Sequence, residues 1–226
     1  MSASGVSLSN GWPKVRLTDV AELNPRRFSE PISDDTPVSF VPMKAVEEES
    51  GRLDPSETRL WRSVKKGYTP FQENDVLFAK ITPCMENGKY AIAQGLQGGR
   101  AAGSTEFHVF RPSCALDPHF LLYFLFGPEM RRAARLNMRG AAGQLRVPPF
   151  FFENLEIPLP AVEEQREIVA EIEKQFTRLE AGVAGLRRVT GQSQTLPRLR
   201  PQSRLRRQTR SHWSPRVGPQ LIWVHF

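Results

Sequence analysis

The apolar positions of the chain fall into two regimes. Up to about residue 160 they come in short runs bounded by proline, glycine and polar turns; beyond it they recur at helical spacing. In the first regime Pro13 opens an extended segment, and Thr18 is placed to cap a short apolar turn of Val20, Ala21 and Leu23 that stops before Pro25. "VSFVPM" (Val38–Met43) sets Val38, Phe40 and Pro42 against Ser39 and Val41, the alternation of a strand. "NDVLFAKI" (Asn74–Ile81) predicts a second strand, and Tyr90–Ala93 and Glu106–Phe110 two more, joined by a glycine-rich loop. After Asp117–Pro118 a helical pattern runs through "HFLLYFLFGPEMRRAARLNMRG", split near Gly127–Pro128 and ending at Gly140. The loop "RGAAGQLRVPP" then leads into "FFFENLEIPLP", read as a strand closing on Pro158–Pro160. The prediction is a mixed α+β domain over residues 11–160, with no internal repeat, preceded by a polar stretch (1–10) expected to be disordered.

The second regime, residues 161–190, predicts one long helix. Ile168, Ile172, Phe176, Leu179, Val183 and Leu186 recur at steps of 4, 4, 3, 4 and 3, a stripe down one face at nearly heptad spacing. Glu163 and Glu164 in the first turn and Arg187 and Arg188 in the last suit the helix dipole. At ~1.5 Å per residue the segment makes a rod of about 44 Å. Two readings of the stripe stand: a helix folded back on its own domain, or a coiled-coil-type helix that meets a partner.

Charge changes the picture only at the end of the chain. The net charge of +7 would ordinarily suggest nucleic acid. From Gly191 onward, however, the charged residues are seven arginines with no lysine, Asp or Glu, which leaves 24 basic against 24 acidic side chains in residues 1–190. The body is neutral, and any DNA contact it makes must come from local patches. The tail, 191–226, carries no burial pattern and is expected to be disordered.

Other classes are excluded by what is missing. The N-terminal "MSASGVSLSN" is no signal peptide, and the most apolar run, His119–Gly127, is about half of the ~20 residues that cross a bilayer. Cys84 and Cys114 make neither a disulfide framework nor a zinc cluster and suit a reducing cytoplasm. No phosphate-binding glycine loop, Asn-Pro-Pro-Tyr-like tetrapeptide or Gly-x-Ser-x-Gly elbow is present, and His108, His119, His212 and His225 lack metal-ligand spacing. Asp75 and Lys80 loosely suggest a nuclease carboxylate–lysine pair, but no second carboxylate can be assigned. No catalytic residue and no metal site is expected.

Base-reaching side chains do sit beside glycine. "GGRAAGSTEF" supplies Arg100, Ser104 and Thr105, and "NMRGAAGQLRV" supplies Arg139, Gln144 and Arg146. Arg131, Arg132 and Arg135 precede the second loop on a helix, where three- and four-residue steps put them on one face. Lys80 and Lys89 are added to these candidates for DNA contact. Arginine and glutamine pair bidentately with guanine and adenine edges, and Ser and Thr anchor phosphates. An ordinary solvated basic face with two loops is the other reading of these residues.

Taken together and in order, "WPKVRLTDVAELNPR", "DVLFAKITPCMENGK", "GSTEFHVFRP" and "GQLRVPPFFFENLEIPLP" followed by "EEQREIVAEIE" resemble the DNA-specificity subunit of type I restriction–modification systems over Gly11–Val189. The resemblance implies a mixed-sheet target recognition domain (11–160) and a spacer helix (161–190). It implies double-stranded DNA and the methyltransferase subunits as partners, the motor-nuclease subunit indirectly, and no membrane. S-adenosylmethionine, ATP and Mg²⁺ would then be held only by partner subunits. A full subunit of this family has two recognition domains and two spacers, so this chain would read one half-site, as a half subunit that could pair with a second copy through its helix. A protein-binding adapter and a non-functional remnant are the rival readings. The tail does not resemble the family. Back-translated with permitted codons and read from the second base, Gln192–Pro215 instead gives a helical string similar to the family's spacer continuation. Residues from about Gly191 are therefore expected to be an out-of-frame translation, which the coding DNA decides: stops or a non-helical string in the second-base frame would refute it.

Overall fold

Val76 and Phe78 turn to one face of their strand and Leu77 and Ala79 to the other, and all four are fully buried. A strand buried on both faces must lie inside a stack of layers, and the computed structural model is built that way. It describes residues 11–141 and 143–193, with side chains through Arg187. In chain order the elements are β1 (Lys14–Arg16), α1 (Leu17–Val20), β2 (Ala21–Leu23), β3 (Pro37–Val41), β4 (Thr58–Leu60), α2 (Trp61–Val64), β5 (Thr69–Gln72), β6 (Val76–Ala79), β7 (Tyr90–Ile92), β8 (Arg100–Gly103), β9 (Phe107–Pro112), α3 (Pro118–Phe126), α4 (Pro128–Leu136), α5 (Pro149–Glu153), β10 (Glu156–Pro158) and α6 (Val162–Ser193).

One antiparallel sheet has the order β2-β9-β6-β7 and a second, mixed sheet the order β4-β3-β8-β5, in which β3 and β8 run parallel. The main core lies between the first sheet and helices α1, α3, α4 and α5, joined by Ile168 and Val169 from the first turns of α6. A second core of Leu77, Ala79, Val109, Phe71, Ala101 and Val41 fills the space between the sheets. A third, smaller one lies behind the mixed sheet under Trp61 and Ile32. β1 pairs with β10, tying the start of the domain to its end. Trp12 Nε1 donates to the Glu164 carboxylate at 3.0 Å beside this tie.

The mixed α+β class holds, and the strands expected at Val38–Met43, Asn74–Ile81, Tyr90–Ala93 and Glu106–Phe110 appear as β3, β6, β7 and β9. The long helical pattern breaks into α3 and α4 at Gly127–Pro128, as the proline requires. Three expectations are corrected. The "FFFENLEIPLP" strand is mostly helix: Pro149 at the first helical position starts α5, Phe152 is its buried anchor, and only Glu156–Pro158 is extended. Thr18 caps nothing; the turn begins at Leu17, and Ala21–Leu23 is a strand. The glycine-rich loop between β7 and β9 contains β8, whose small residues are required. A Cβ on Gly103 would stand 2.4 Å from the Val41 carbonyl oxygen of the neighbouring strand.

The first compact unit ends at Val169, and the second begins at Ala170, its described part being the remainder of α6. α6 extends to Ser193, past the end expected at 190. Leu179 and Val183 are about two-fifths exposed and Leu186 about two-thirds (40%, 39% and 68%). The expected disordered segments 1–10 and, beyond Ser193, the tail lie outside the described residues. No helix among the described residues is long and apolar enough to cross a membrane.

Candidate nucleic-acid interface

The second glycine loop is a small hairpin. Arg139 and Arg146 face each other across it, each backbone N–H donating to the other's carbonyl at 2.9 and 2.8 Å. Gly140 turns the corner with φ +131°, and a Cβ there would lie 2.7 Å from the Gln144 carbonyl oxygen, so only glycine fits. Gln144 is exposed at the tip.

Two other segments hold this hairpin. After β6, Ile81 bridges Arg146, Thr82 N–H donates to the Leu145 carbonyl at 3.0 Å, and the Thr82 hydroxyl accepts from Leu145 N–H at 3.2 Å. The Val147 N–H in turn donates to the Lys80 carbonyl at 2.9 Å. From the β8–β9 turn, the Glu106 carboxylate takes the Arg146 guanidinium side-on, Nε and Nη2 donating at 2.9 and 2.8 Å, while Nη1 donates to the Gln144 carbonyl at 3.1 Å. The Ser104 hydroxyl shapes the same turn by accepting from Glu106 N–H, and Thr105 is exposed at its apex. The chain thus brings Lys80, Ser104, Thr105, Arg139, Gln144 and Arg146 together from three distant segments.

The charges there are coupled. Hydrogen bonds from Arg146 hold the Glu106 carboxyl below its usual range against the opposing effect of burial. Burial draws the Lys80 ammonium below its usual value, Glu106 opposing and Arg146 assisting. Behind them His108 is buried, and its Nε2 lies 2.8 Å from the Val147 carbonyl. That contact requires an N–H on Nε2, leaving Nδ1 to accept from the Asn24 amide at 3.1 Å. Burial keeps the ring neutral near neutral pH, drawing its pKa down to about 4, with the Val147 carbonyl acting the other way. An unfolded histidine protonates near ~6.5. Between the two values the unfolded chain binds the proton and the folded chain does not, so stability falls as pH drops from about 6.5 toward 4, by up to about 3 kcal/mol. Urea denaturation across that window should find this slope in the parent and a flatter one in His108→Gln; equal slopes would refute the assignment.

The remaining candidates are placed elsewhere, three of them with their charged ends engaged by the rest of the domain. Lys89 donates to the Val46 carbonyl at 2.8 Å and pins the turn after β3. Arg100 stands at the opposite end of β8 from Ser104, bonded to the Gly98 carbonyl and Glu30. Arg131 turns inward, donating to the Glu86 carbonyl at 2.6 Å and facing Glu49. Its neighbours on α4, Arg132 and Arg135, are well exposed, paired with Glu129 and Glu86 on the helix that leads into the hairpin. The loose Asp75–Lys80 pairing dissolves as well: Asp75 is buried against Arg111, whereas Lys80 faces Glu106. Glu106 was not singled out among the sequence candidates. It lies 40 residues from its partner, and nothing in the local pattern links the two. Among the described residues no group of three or more His, Cys, Asp or Glu is placed to hold a metal ion.

Comparison with known proteins places this geometry in context. A family model described as the type I restriction modification DNA specificity domain matches residues 9–183. The type I restriction enzyme EcoAI specificity subunit of Escherichia coli is 41% identical over 173 residues, which is 76% of the chain and 28% of that subunit. The EcoEI specificity subunit of Escherichia coli is also 41% identical, over 168 residues covering 74% of the chain and 28% of the relative. The chain thus spans little more than a quarter of these curated relatives. Among solved structures, the HsdS subunit from Thermoanaerobacter tengcongensis superposes with a TM-score of 0.61 at 26% identity, covering 86% of this chain and 48% of that one.

Proposed function

The chain belongs to the DNA-specificity family of type I restriction–modification systems, and we propose that it reads one half of a bipartite double-stranded DNA site and docks methyltransferase subunits, without catalysing a step itself. The observation that carries the reading is the convergence of Lys80, Ser104, Thr105, Arg139, Gln144 and Arg146 within the family-matched domain. Arginine and glutamine on one hairpin supply the bidentate donors and acceptors that distinguish base edges in the major groove, and the flanking hydroxyls and lysine suit phosphates. Arg132 and Arg135 on α4 are far more exposed than Arg146, and their solvent-screened pairs with Glu129 and Glu86 can open to a phosphate.

The apolar stripe of α6 supports the second half of the reading. Its first member, Ile168, packs on the domain, whereas Leu179, Val183 and Leu186 are exposed. Such residues at near-heptad spacing suit a partner helix, from a methyltransferase subunit or from a second copy that would complete a two-fold site. The motor-nuclease is reached through the methyltransferase. S-adenosylmethionine, ATP and Mg²⁺ belong to those partners, and the assembly works on DNA in the cytoplasm.

The combined variant Arg139→Ala/Gln144→Ala/Arg146→Ala tests this. Sequence-specific duplex binding should fall by at least about 100-fold, as expected from losing two or more bidentate base contacts, with methyltransferase association retained. Unchanged DNA binding would refute the reading and favour a protein-binding adapter working through the α6 stripe.

A further inference from the structure

Arg146 differs from the other arginines of the interface in how its donors are used. A guanidinium has five N–H donors. Glu106 takes the Nε donor and one on Nη2, and the Gln144 carbonyl takes one on Nη1. One N–H therefore remains on each terminal nitrogen. The side chain is 40% exposed. Both anchors are themselves fixed, the Gln144 carbonyl by the Gly140 corner and Glu106 by the turn bonded to Lys80 and Ser104. Two other arginines hold carboxylates side-on but lie elsewhere. Arg111 is half-buried against Asp75, and Arg59 stacks on the Phe40 ring against the mixed sheet.

Resting on the DNA-reading interpretation above, we infer that Arg146 is the guanine reader of this half-site and that Glu106 is the positioning residue that keeps it off the phosphates. The donors left on the two terminal nitrogens match in number the O6 and N7 acceptors of guanine in the major groove, which no other base presents together. A free arginine is drawn equally to the phosphate backbone. Here the adjacent carboxylate cancels the guanidinium charge and repels a phosphate, while the neutral guanine edge is repelled by neither group. The pair gives up affinity for any duplex in exchange for discrimination at one base pair.

The test is selection by the full chain, alone and with its methyltransferase subunits, from a pool of short duplexes with randomised positions, followed by binding titrations over a range of salt. The parent should enrich a consensus containing a fixed G·C pair. Arg146→Ala should lose the preference at that pair, by about 10- to 100-fold, and keep it elsewhere. In Arg146→Lys, lysine keeps the charge but not the fork and should hold the preference less well than arginine, whereas a preference retained in Arg146→Ala would mean that the residue does not read the base and would overturn the inference. Glu106→Gln should lower the same preference and steepen the dependence of log K on log salt by about one. A merely structural role for Glu106 would weaken all sequences alike and leave that slope unchanged, and would overturn its assignment. Circular dichroism of each variant controls for folding. If Arg146→Ala selects the parent consensus, the inference fails and the DNA reading stands; if the parent enriches nothing under either condition, both fail.

Discussion

Phe152→Ala is expected to remove about 3–5 kcal/mol of unfolding free energy, enough to leave a domain of ordinary stability (~5–15 kcal/mol) marginal at 37 °C. Phe152 is fully buried. Its ring sits 5.0 Å from those of Phe78, Phe110 and Phe151 and 5.2 Å from the His108 ring, most of these edge to face. Truncation would open a cavity where α5 meets the first sheet, lined by large side chains from different strands that cannot collapse together. The same ring backs His108, which holds the Val147 carbonyl at the foot of the arginine hairpin. Loss of the ring should therefore loosen the interface before it unfolds the domain. Urea denaturation should give the stability change, and hydrogen exchange should be faster at the Arg146 and Val147 amides. Phe150→Ala, two positions earlier and about half exposed (49%), is the control, with an expected cost below about 1 kcal/mol. Equal effects of the two substitutions would mean that α5 does not anchor the site.

The same segment explains what could and could not be read from the sequence. Val76 to Ala79 announce a doubly buried strand because every position is apolar, and Gly127–Pro128 marks a helix break because proline cannot continue one. "FFFENLEIPLP" misleads because three consecutive aromatics suit a strand equally well, and only Pro149 at a first helical position, with Phe152 turned inward, separates the two. β8 hides for the opposite reason. Its Ala-Ala-Gly run has no hydrophobic alternation, since the close approach of β3 and β5 leaves no room for larger side chains. β4, α2 and β5, between residues 58 and 72, went unread among charged and turn-forming residues. For the candidate site, residue type and neighbouring glycine were enough to single out Arg139, Gln144 and Arg146. Composition could not tell a presented cation from one spent on the scaffold. Lys89, Arg100 and Arg131 look like the others in sequence and differ in being drawn further into the protein, their side chains 16–27% exposed. The long-range pairing of Glu106 with Arg146 is of the same kind, fixed by the sheet and invisible along the chain.

Asp75→Ala is expected to cost about 3–5 kcal/mol as well, through charge rather than volume. The carboxylate is 1% exposed; Oδ1 accepts from Arg111 Nε at 2.9 Å, and Oδ2 accepts from Arg111 Nη2 at 2.9 Å and from Gln72 N–H at 2.8 Å. Arg111 donates onward to the Arg27 carbonyl, so one ion pair joins the segment after β2, the β5–β6 turn and β9. Removing the acid leaves a guanidinium that is only 16% exposed with the Arg27 carbonyl and the exposed Glu22 carboxylate at 3.9 Å, and takes away the Gln72 N–H's bond to Oδ2. Because most of that penalty belongs to a poorly paired cation left behind rather than to any intrinsic worth of the pair, Asp75→Leu combined with Arg111→Met should recover most of the loss. Asp75→Asn, which keeps an acceptor for Gln72, should fall between the parent and alanine. A double-mutant cycle by urea denaturation reads all of these. If the apolar double variant proves as unstable as Asp75→Ala, the hydrogen bonds that the pair makes to Gln72 and Arg27, and not charge burial, are what hold the three segments together.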